Sequence, residues 1–403
     1  MSVLSGKNIV LGVSGGIAAY KTATLVRLFI KAGAHVQVIM TPASKDFVTP
    51  LTLATLSKNP VYSSFFNEDD DNAQWNNHVE LGLWADLMII APATANTLSK
   101  MTNGNCDNLL IATYLSAKCP IYFAPAMDLD MYKHPSTLAS FSALTQFGNT
   151  IIPAESGELA SGLSGEGRMA EPENIIAFIE ADLESKLPLK GKKILITAGP
   201  TYEAIDPVRF IGNHSSGKMG FDIANQAANL GAEVILISGP TQLNVVNNSI
   251  QLIKIVAAQE MFDACNQYFD QIDVFIAAAA VADYRPKYVA EQKIKKNEVN
   301  FSIELEKTKD ILATLGAIKK NQFLIGFALE TENEIENAKL KIQKKNLDLI
   351  VLNSLQDEGA GFGKLTNKVT FIDKNFVVEP MELKPKEEVA VDIVNKIIEH
   401  YYA

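Results

Sequence analysis

Asn8-Ile9-Val10-Leu11-Gly12-Val13-Ser14-Gly15-Gly16 is a short apolar run that ends on a glycine turn. Lys193-Ile194-Leu195-Ile196-Thr197-Ala198-Gly199-Pro200-Thr201 repeats the plan near the middle of the chain. Apolar runs of this length suit strands buried on both faces of a parallel sheet. Two more echoes keep an offset near half the chain length. Gly33-Ala34-His35-Val36-Gln37-Val38-Ile39 answers to Gly231-Ala232-Glu233-Val234-Ile235-Leu236-Ile237. Ala85-Asp86-Leu87-Met88-Ile89-Ile90-Ala91 answers to Ile272-Asp273-Val274-Phe275-Ile276-Ala277-Ala278. Two domains of one plan explain the pattern.

Working outward, the first half offers further strands at 35–40, 86–91, 120–124 and 150–152. Ile17, Tyr20, Leu25, Leu28 and Phe29 recur at helical spacing after the first glycine turn. The second half offers strands near 233–238, 250–256, 273–279, 323–327 and 347–352. Helices are expected near 217–230, 259–269, 309–320, 332–346 and 386–400. Strands alternating with helices predict an α/β fold with a doubly wound, Rossmann-like sheet in each half. Val369–Ile372 and Phe376–Val378, joined by Asp373-Lys374-Asn375, read as a late hairpin. The polar, proline-bearing stretch 184–191 is the expected join, giving domains 1–187 and 188–403. Residues 153–170 and the lysine-rich 284–300 read as long loops, which in compact domains are usually functional or disordered.

Composition narrows the class. The 403 residues suffice for two domains. A net charge of −10 argues against bulk attraction to nucleic acid. Three cysteines without a C-x-x-C spacing argue against a disulfide scaffold or a zinc ribbon, and fit a reducing cytoplasm. No apolar run reaches the length of a signal peptide or a membrane span, so a cytoplasmic protein is expected.

A glycine turn between a strand and a helix points backbone N–H groups at an anion. A dinucleotide site also needs an acid at the end of the second strand, to bind ribose. Here that strand ends in Met40-Thr41-Pro42, and its counterpart in Ser238-Gly239-Pro240. NAD is therefore disfavoured in both halves, and Ser14 or Thr41 suits a single phosphate. A tight turn without ligand is the plain alternative. Ala91-Pro92-Ala93-Thr94-Ala95-Asn96-Thr97 and Pro125-Ala126-Met127-Asp128 follow the next strands with small or polar residues. Such strand ends form the ligand edge of a parallel sheet.

These residues carry a specific resemblance. Ser14–Lys21, His78-Val79-Glu80-Leu81, Trp84-Ala85-Asp86, Ala91–Asn96, Cys106-Asp107-Asn108-Leu109 and Pro125-Ala126-Met127 carry it in the first half. Thr197–Thr201, Asp206-Pro207-Val208-Arg209, Asn213–Gly220, Ala279–Tyr284, Lys293-Ile294-Lys295-Lys296 and Lys345–Ile350 carry it in the second. Over nearly its whole length the chain resembles the bifunctional phosphopantothenoylcysteine decarboxylases/phosphopantothenate–cysteine ligases of coenzyme A biosynthesis. The resemblance implies a flavodoxin-like, FMN-binding decarboxylase domain followed by a CTP-dependent ligase domain. It also implies a homo-oligomer, with trimeric flavin-domain contacts and dimeric ligase-domain contacts, up to a dodecamer.

By this resemblance Ser14, Gly15, Thr41, Thr94, Ala95, Asn96, Thr97 and Ala126 contact FMN, and His78 assists oxidation of the substrate. Met127 and Asp128 contact the substrate. Two positions depart from the family pattern. Asp128 stands where the family has asparagine, whose amide donates to the substrate carboxylate as an ionised Asp cannot. In Leu159-Ala160-Ser161-Gly162, Ser161 replaces the reactive loop cysteine, and a hydroxyl is a far weaker acid than a thiol. Ser161, Asp128 or another group is expected to supply the final proton, with Ser161 over the flavin contributing to it. In the ligase half, Ala278, Ala279, Ala280, Asp283, Lys309, Asp310, Phe327, Lys341 and Lys345 match nucleotide contacts. Lys341 and Lys345, at i and i+4, are expected to reach the nucleotide together. Lys293 matches the lysine that closes over the triphosphate, and Asn213 the residue at the acyl-cytidylate. Mg2+ is expected as a phosphate counterion, with ligands unassigned. The alternative is a ligase-active protein whose flavin domain stalls at the enethiol or serves as a flavin-binding regulatory or interaction module.

Overall fold

The computed structural model describes residues 2–66, 75–295, 302–330, 332–354 and 364–402. The chain divides into two compact units, Met1–Ser185 and Lys186–Ala403. The first unit holds strands β1 (Asn8–Val13), β2 (His35–Met40), β3 (Val61–Tyr62), β4 (Leu87–Ala93), β5 (Ile121–Pro125) and β6 (Thr150–Ile151). They form one parallel sheet in the order β3-β2-β1-β4-β5-β6. Without the two-residue edge strand β3, the order is the flavodoxin type. β1, β2, β4 and β5 are buried along almost their whole length, because helices cover both faces. Separate cores lie on the two faces, one around Phe29 and Ile175, the other around Leu98 and Leu110.

Residues 153–170 are more regular than expected. They hold an antiparallel hairpin, β7 (Glu155–Glu158) and β8 (Ser164–Arg168), with Ser161 in its turn. Its glycines and polar residues lack the apolar alternation by which strands are read.

The second unit opens with β9 (Lys193–Ala198) and a small hairpin, β10 (Tyr202–Ala204) and β11 (Phe210–Gly212). β12 (Glu233–Ser238), β13 (Ile250–Lys254) and β14 (Val274–Ala277) follow. A second hairpin pairs β15 (Tyr284–Pro286) with β16 (Leu305–Lys307). β17 (Phe323–Glu330), β18 (Leu349–Ser354), β19 (Thr366–Asn367), β20 (Val369–Asp373), β21 (Val378–Pro380) and β22 (Lys384–Pro385) complete the strands. The main sheet runs β13-β12-β9-β14-β17-β18-β20-β21, with its last two strands antiparallel. The late hairpin is present, with Phe376 in its turn at φ 66 rather than in a strand. Of the lysine-rich loop, residues 296–300 lie outside the described residues.

The internal echo has a physical basis. Asp86 accepts from Asn8 N at 2.8 Å and donates its own N–H to Asn8 O. Asp273 does the same with Lys193, also at 2.8 Å. Each acid ties the start of its unit's first strand to the neighbouring strand β4 or β14.

Candidate active sites

In the first unit the carboxyl ends of β1, β2, β4 and β5 surround a cavity of about 530 Å³. Gly15, Thr41, Thr94, Ala95, Asn96, Thr97 and Ala126 all line it. Ser14 stands behind the wall, 1% exposed, its hydroxyl donating to Pro92 O at 2.6 Å and accepting from Thr94 N at 3.1 Å. Thr41 Oγ1 is buried with no hydrogen-bond partner among the described residues. Gly15 packs so tightly on Ala43 that a Cβ would sit 2.7 Å from the Ala43 Cβ. Lys100, Asp107 and Asn108, not among the expected contacts, also line it. Lys100 pairs with Asp107 at 2.5 Å, and that hydrogen bond holds the Asp107 carboxyl below its ordinary pKa.

A second cavity of about 510 Å³ shares the Ala126–Met127 wall. Asp128, Ser161, Tyr20, Lys21 and Arg168 line it. Asp128 caps the short helix Leu129–Lys133, accepting from Leu129 N at 2.6 Å. The hairpin β7–β8 is seated against this segment: Met127 N donates to Gly167 O at 3.0 Å. At Gly167, φ is +134 and a Cβ would collide with Met127 O. Below the hairpin, Glu171 takes Lys21 Nζ at 3.0 Å and Arg168 at 2.5 Å. The Lys21 hydrogen bond is the main reason the Glu171 carboxyl sits below its usual pKa.

His78 begins the helix His78–Trp84, capped by Asn77 Oδ1. Its ring lies 6.1 Å from those of Phe65 and Trp75, and its Nδ1 is buried without a partner among the described residues. It lines neither cavity of its own chain. Val79, Leu83 and Trp84 beside it are exposed.

In the second unit a cavity of about 600 Å³ is lined by Ala279, Ala280, Asp283, Tyr284, Lys307, Lys309, Asp310, Phe327 and Lys345, among others. Thr197 Oγ1 and Thr201 Oγ1 accept from Ala279 N and Ala282 N, fixing this backbone. Asp310 caps the helix Ile311–Ile318 and pairs with Lys345 at 2.8 Å. Burial opposes ionisation there, yet the Lys345 hydrogen bond and the Ala313 N–H hold the Asp310 carboxyl below its ordinary pKa. Lys309 Nζ stands 4.5 Å from the Phe262 ring centroid. Lys341 does not join the lining, in contrast to the expected pair. Glu330 at the end of β17 draws it aside at 2.5 Å.

A smaller cavity of about 180 Å³ shares Ala279, Ala280 and Phe327 with the larger one. Ala278, Ser215, Ser216, Lys218, Asn353, Asn367 and Lys386 also line it. It lies at the N-terminus of the helix Lys218–Asn229, where backbone N–H groups favour an anion. Burial lowers the pKa of Lys386. Asn213 Nδ2 donates to Ala280 O at 3.0 Å and Val281 O at 3.2 Å, which sets it beside both cavities. Lys293 is exposed and lies outside both linings.

Residues 2–184 match the family described as Flavoprotein. Residues 189–401 match the DNA/pantothenate metabolism flavoprotein C-terminal domain. The coenzyme A biosynthesis bifunctional protein CoaBC of Bacillus subtilis is 44% identical over 397 residues, covering 98% of this chain and 97% of that protein. This chain belongs to the same family. The family member from Haemophilus influenzae is 45% identical over 399 residues, 99% of this chain and 98% of that protein. A cysteine/cysteine sulfinic acid decarboxylase of an unknown prokaryotic organism is 53% identical over 356 residues, 87% of this chain and 99% of that protein. A crystal structure of the C-terminal domain of a family member is 48% identical, with a TM-score of 0.46 over 54% of this chain and 98% of that one.

Proposed function

We propose that the second unit condenses 4'-phosphopantothenate with cysteine at the expense of CTP, and that the first decarboxylates the product to 4'-phosphopantetheine with FMN. The carrying observation is that each unit joins two cavities through one backbone wall, Ala126–Met127 in the first and Ala279–Ala280 in the second. A nucleotide beside a second substrate needs that arrangement.

The first unit fits FMN. The cavity is of ligand size, the buried Thr41 hydroxyl lacks a partner among the described residues, and the second strand ends in Met40-Thr41-Pro42 with no acid for a second ribose. Ser14, Gly15, Thr41, Thr94, Ala95, Asn96, Thr97 and Ala126 would hold it. FMN, when bound, supplies oxidation of the thiol-bearing carbon and so an electron sink for CO2 loss. Met127 and Asp128 orient the substrate. Ser161, in the hairpin turn, contributes to delivering the proton that completes the product. His78 acts from a neighbouring subunit, which accounts for its distance from its own chain's cavities and for the apolar residues around it. In this reading the chain works as a homo-oligomer in the cytoplasm, with the trimeric flavin-domain contacts and dimeric ligase-domain contacts that the resemblance implies.

In the second unit the substrate carboxylate attacks the α-phosphorus of CTP and pyrophosphate leaves. Cysteine's amine then attacks the acyl carbon and CMP leaves. Lys309, Lys345 and Lys293 neutralise charge developing on the phosphates, and Asn213 positions the acyl-cytidylate. Asp283, Asp310, Ala278, Ala279, Ala280 and Phe327 shape the nucleotide site, and Lys341 approaches it by releasing Glu330. Lys218, Lys386 and the helix N-terminus receive the substrate phosphate. Mg2+ serves as the counterion of the triphosphate, held partly by water.

One incubation tests the reading: purified protein with 4'-phosphopantothenate, cysteine, CTP and Mg2+, with products weighed by mass spectrometry. Release of CMP and pyrophosphate with 4'-phosphopantetheine is expected. An enethiol as the last species would remove Ser161 from the protonation. Free cysteine and cysteine sulfinate without CTP form the control, and CO2 from either would redirect the first unit to those substrates.

A further inference from the structure

The nucleotide cavity of the second unit has a loop whose two roots stand on its rim. Tyr284 in β15 and Lys307 in β16 both line the cavity, and residues 287–304 run between these paired strands. The stem is zipped by Lys287 N to Glu304 O at 3.0 Å and by the ion pairs Lys287–Glu304 and Arg285–Glu306. Beyond the stem, the loop is caught a second time by a different hairpin. Asp206, in the turn between β10 and β11, accepts from Ile294 N at 3.1 Å. Arg209 Nη2 donates to Ile294 O at 2.9 Å. Both backbone groups of one loop residue are thus held by a residue pair far away in sequence.

The holding pair is itself rigid. The Asp206 side chain has no exposed surface, pairs with Arg209 through both guanidinium Nε and Nη2, and accepts from Val208 N and Arg209 N. Arg209 and these N–H groups hold the Asp206 carboxyl well below the usual carboxylate range, so it stays charged. Ala290 N, on the same loop, donates to Ile205 O at 3.0 Å beside the pair.

We propose that Asp206 and Arg209 are a latch on the Lys293 loop: by fixing the backbone of Ile294 they set where the adjacent Lys293 stands relative to the nucleotide cavity. Asp206 is a positioning residue. It acts through Lys293, whose long stem has few productive orientations unless its backbone is fixed. The proposal rests on the CTP-ligase reading for the role of Lys293, not for the latch itself.

Two measurements on the full chain separate these. Hydrogen exchange of the Ile294 amide reads the latch directly. In Asp206→Asn it is expected to rise at least about tenfold, the scale of a lost charge-assisted hydrogen bond. The β9 amides should keep their protection. Unchanged Ile294 exchange overturns the latch. The second measurement is a cycle of Asp206→Asn, Lys293→Gln and the double variant, followed by CTP-dependent pyrophosphate release. Each single variant is expected to lose kcat with little change in the KM for cysteine. The double variant should match Lys293→Gln within about twofold, because linked residues do not add. Additive losses overturn the positioning role. Normal kcat in Lys293→Gln refutes the ligase role of Lys293, while Ile294 exchange still decides the latch. Should Asp206→Asn fail to fold, Arg209→Lys serves instead, since it keeps the charge but cannot span both Asp206 and Ile294 O.

Discussion

Thr41 concentrates the chemistry of the first unit at one atom. A buried hydroxyl without a partner costs about 1–3 kcal/mol, and a bound phosphate or ring oxygen would recover that loss. Thr41→Val is therefore expected to leave the melting temperature unchanged or slightly raised while weakening FMN about tenfold, read by quenching of flavin fluorescence. Ser161 makes the opposite case, since it is exposed in the hairpin turn. Ser161→Cys restores a readily ionised thiol and is expected to speed formation of 4'-phosphopantetheine, whereas Ser161→Ala slows it. Both departures, Asp128 and Ser161, are legible in the sequence because the resemblance supplies a residue to compare. Lys100, Tyr284, Lys307 and Lys386 are not: they reach the cavities from a helix's second turn, a hairpin or the last helix. Sequence carries no local sign of that approach.

At the scale of elements, strands buried on both faces and helices with caps are readable because a local rule dictates each. The hairpin β7–β8 is not, since its stability lies in its seating rather than in its own pattern. That seating makes two predictions. Gly167→Ala forces a side chain into the left-handed region and onto Met127 O, at a cost of about 1–3 kcal/mol or more. Decarboxylation is expected to fall while pyrophosphate release by the other unit is retained. The second concerns acid. Glu171 has a depressed folded pKa, so its contribution is present above the unfolded value of about 4.3 and is lost as pH falls through the folded one. The melting-temperature gap between the parent protein and Glu171→Gln should hold above pH 5 and shrink below about pH 4.

The whole molecule is two units, each with its own sheet and its own cores. The internal echo makes this division legible in the amino-acid order, and Asp86 and Asp273 supply its reason. The segment Lys186–Ala403 is expected to fold alone and release pyrophosphate from CTP without flavin, as a calorimetric transition and a coupled phosphate assay would record. Two transitions in the full chain, with FMN raising only one, would accord with this. The peptide link at Ser185–Lys186 has a further consequence. Translation of one message delivers a synthesising site and a consuming site in equal number. No fluctuation in expression can unbalance them, so gene dosage is removed as a source of stranded 4'-phosphopantothenoylcysteine.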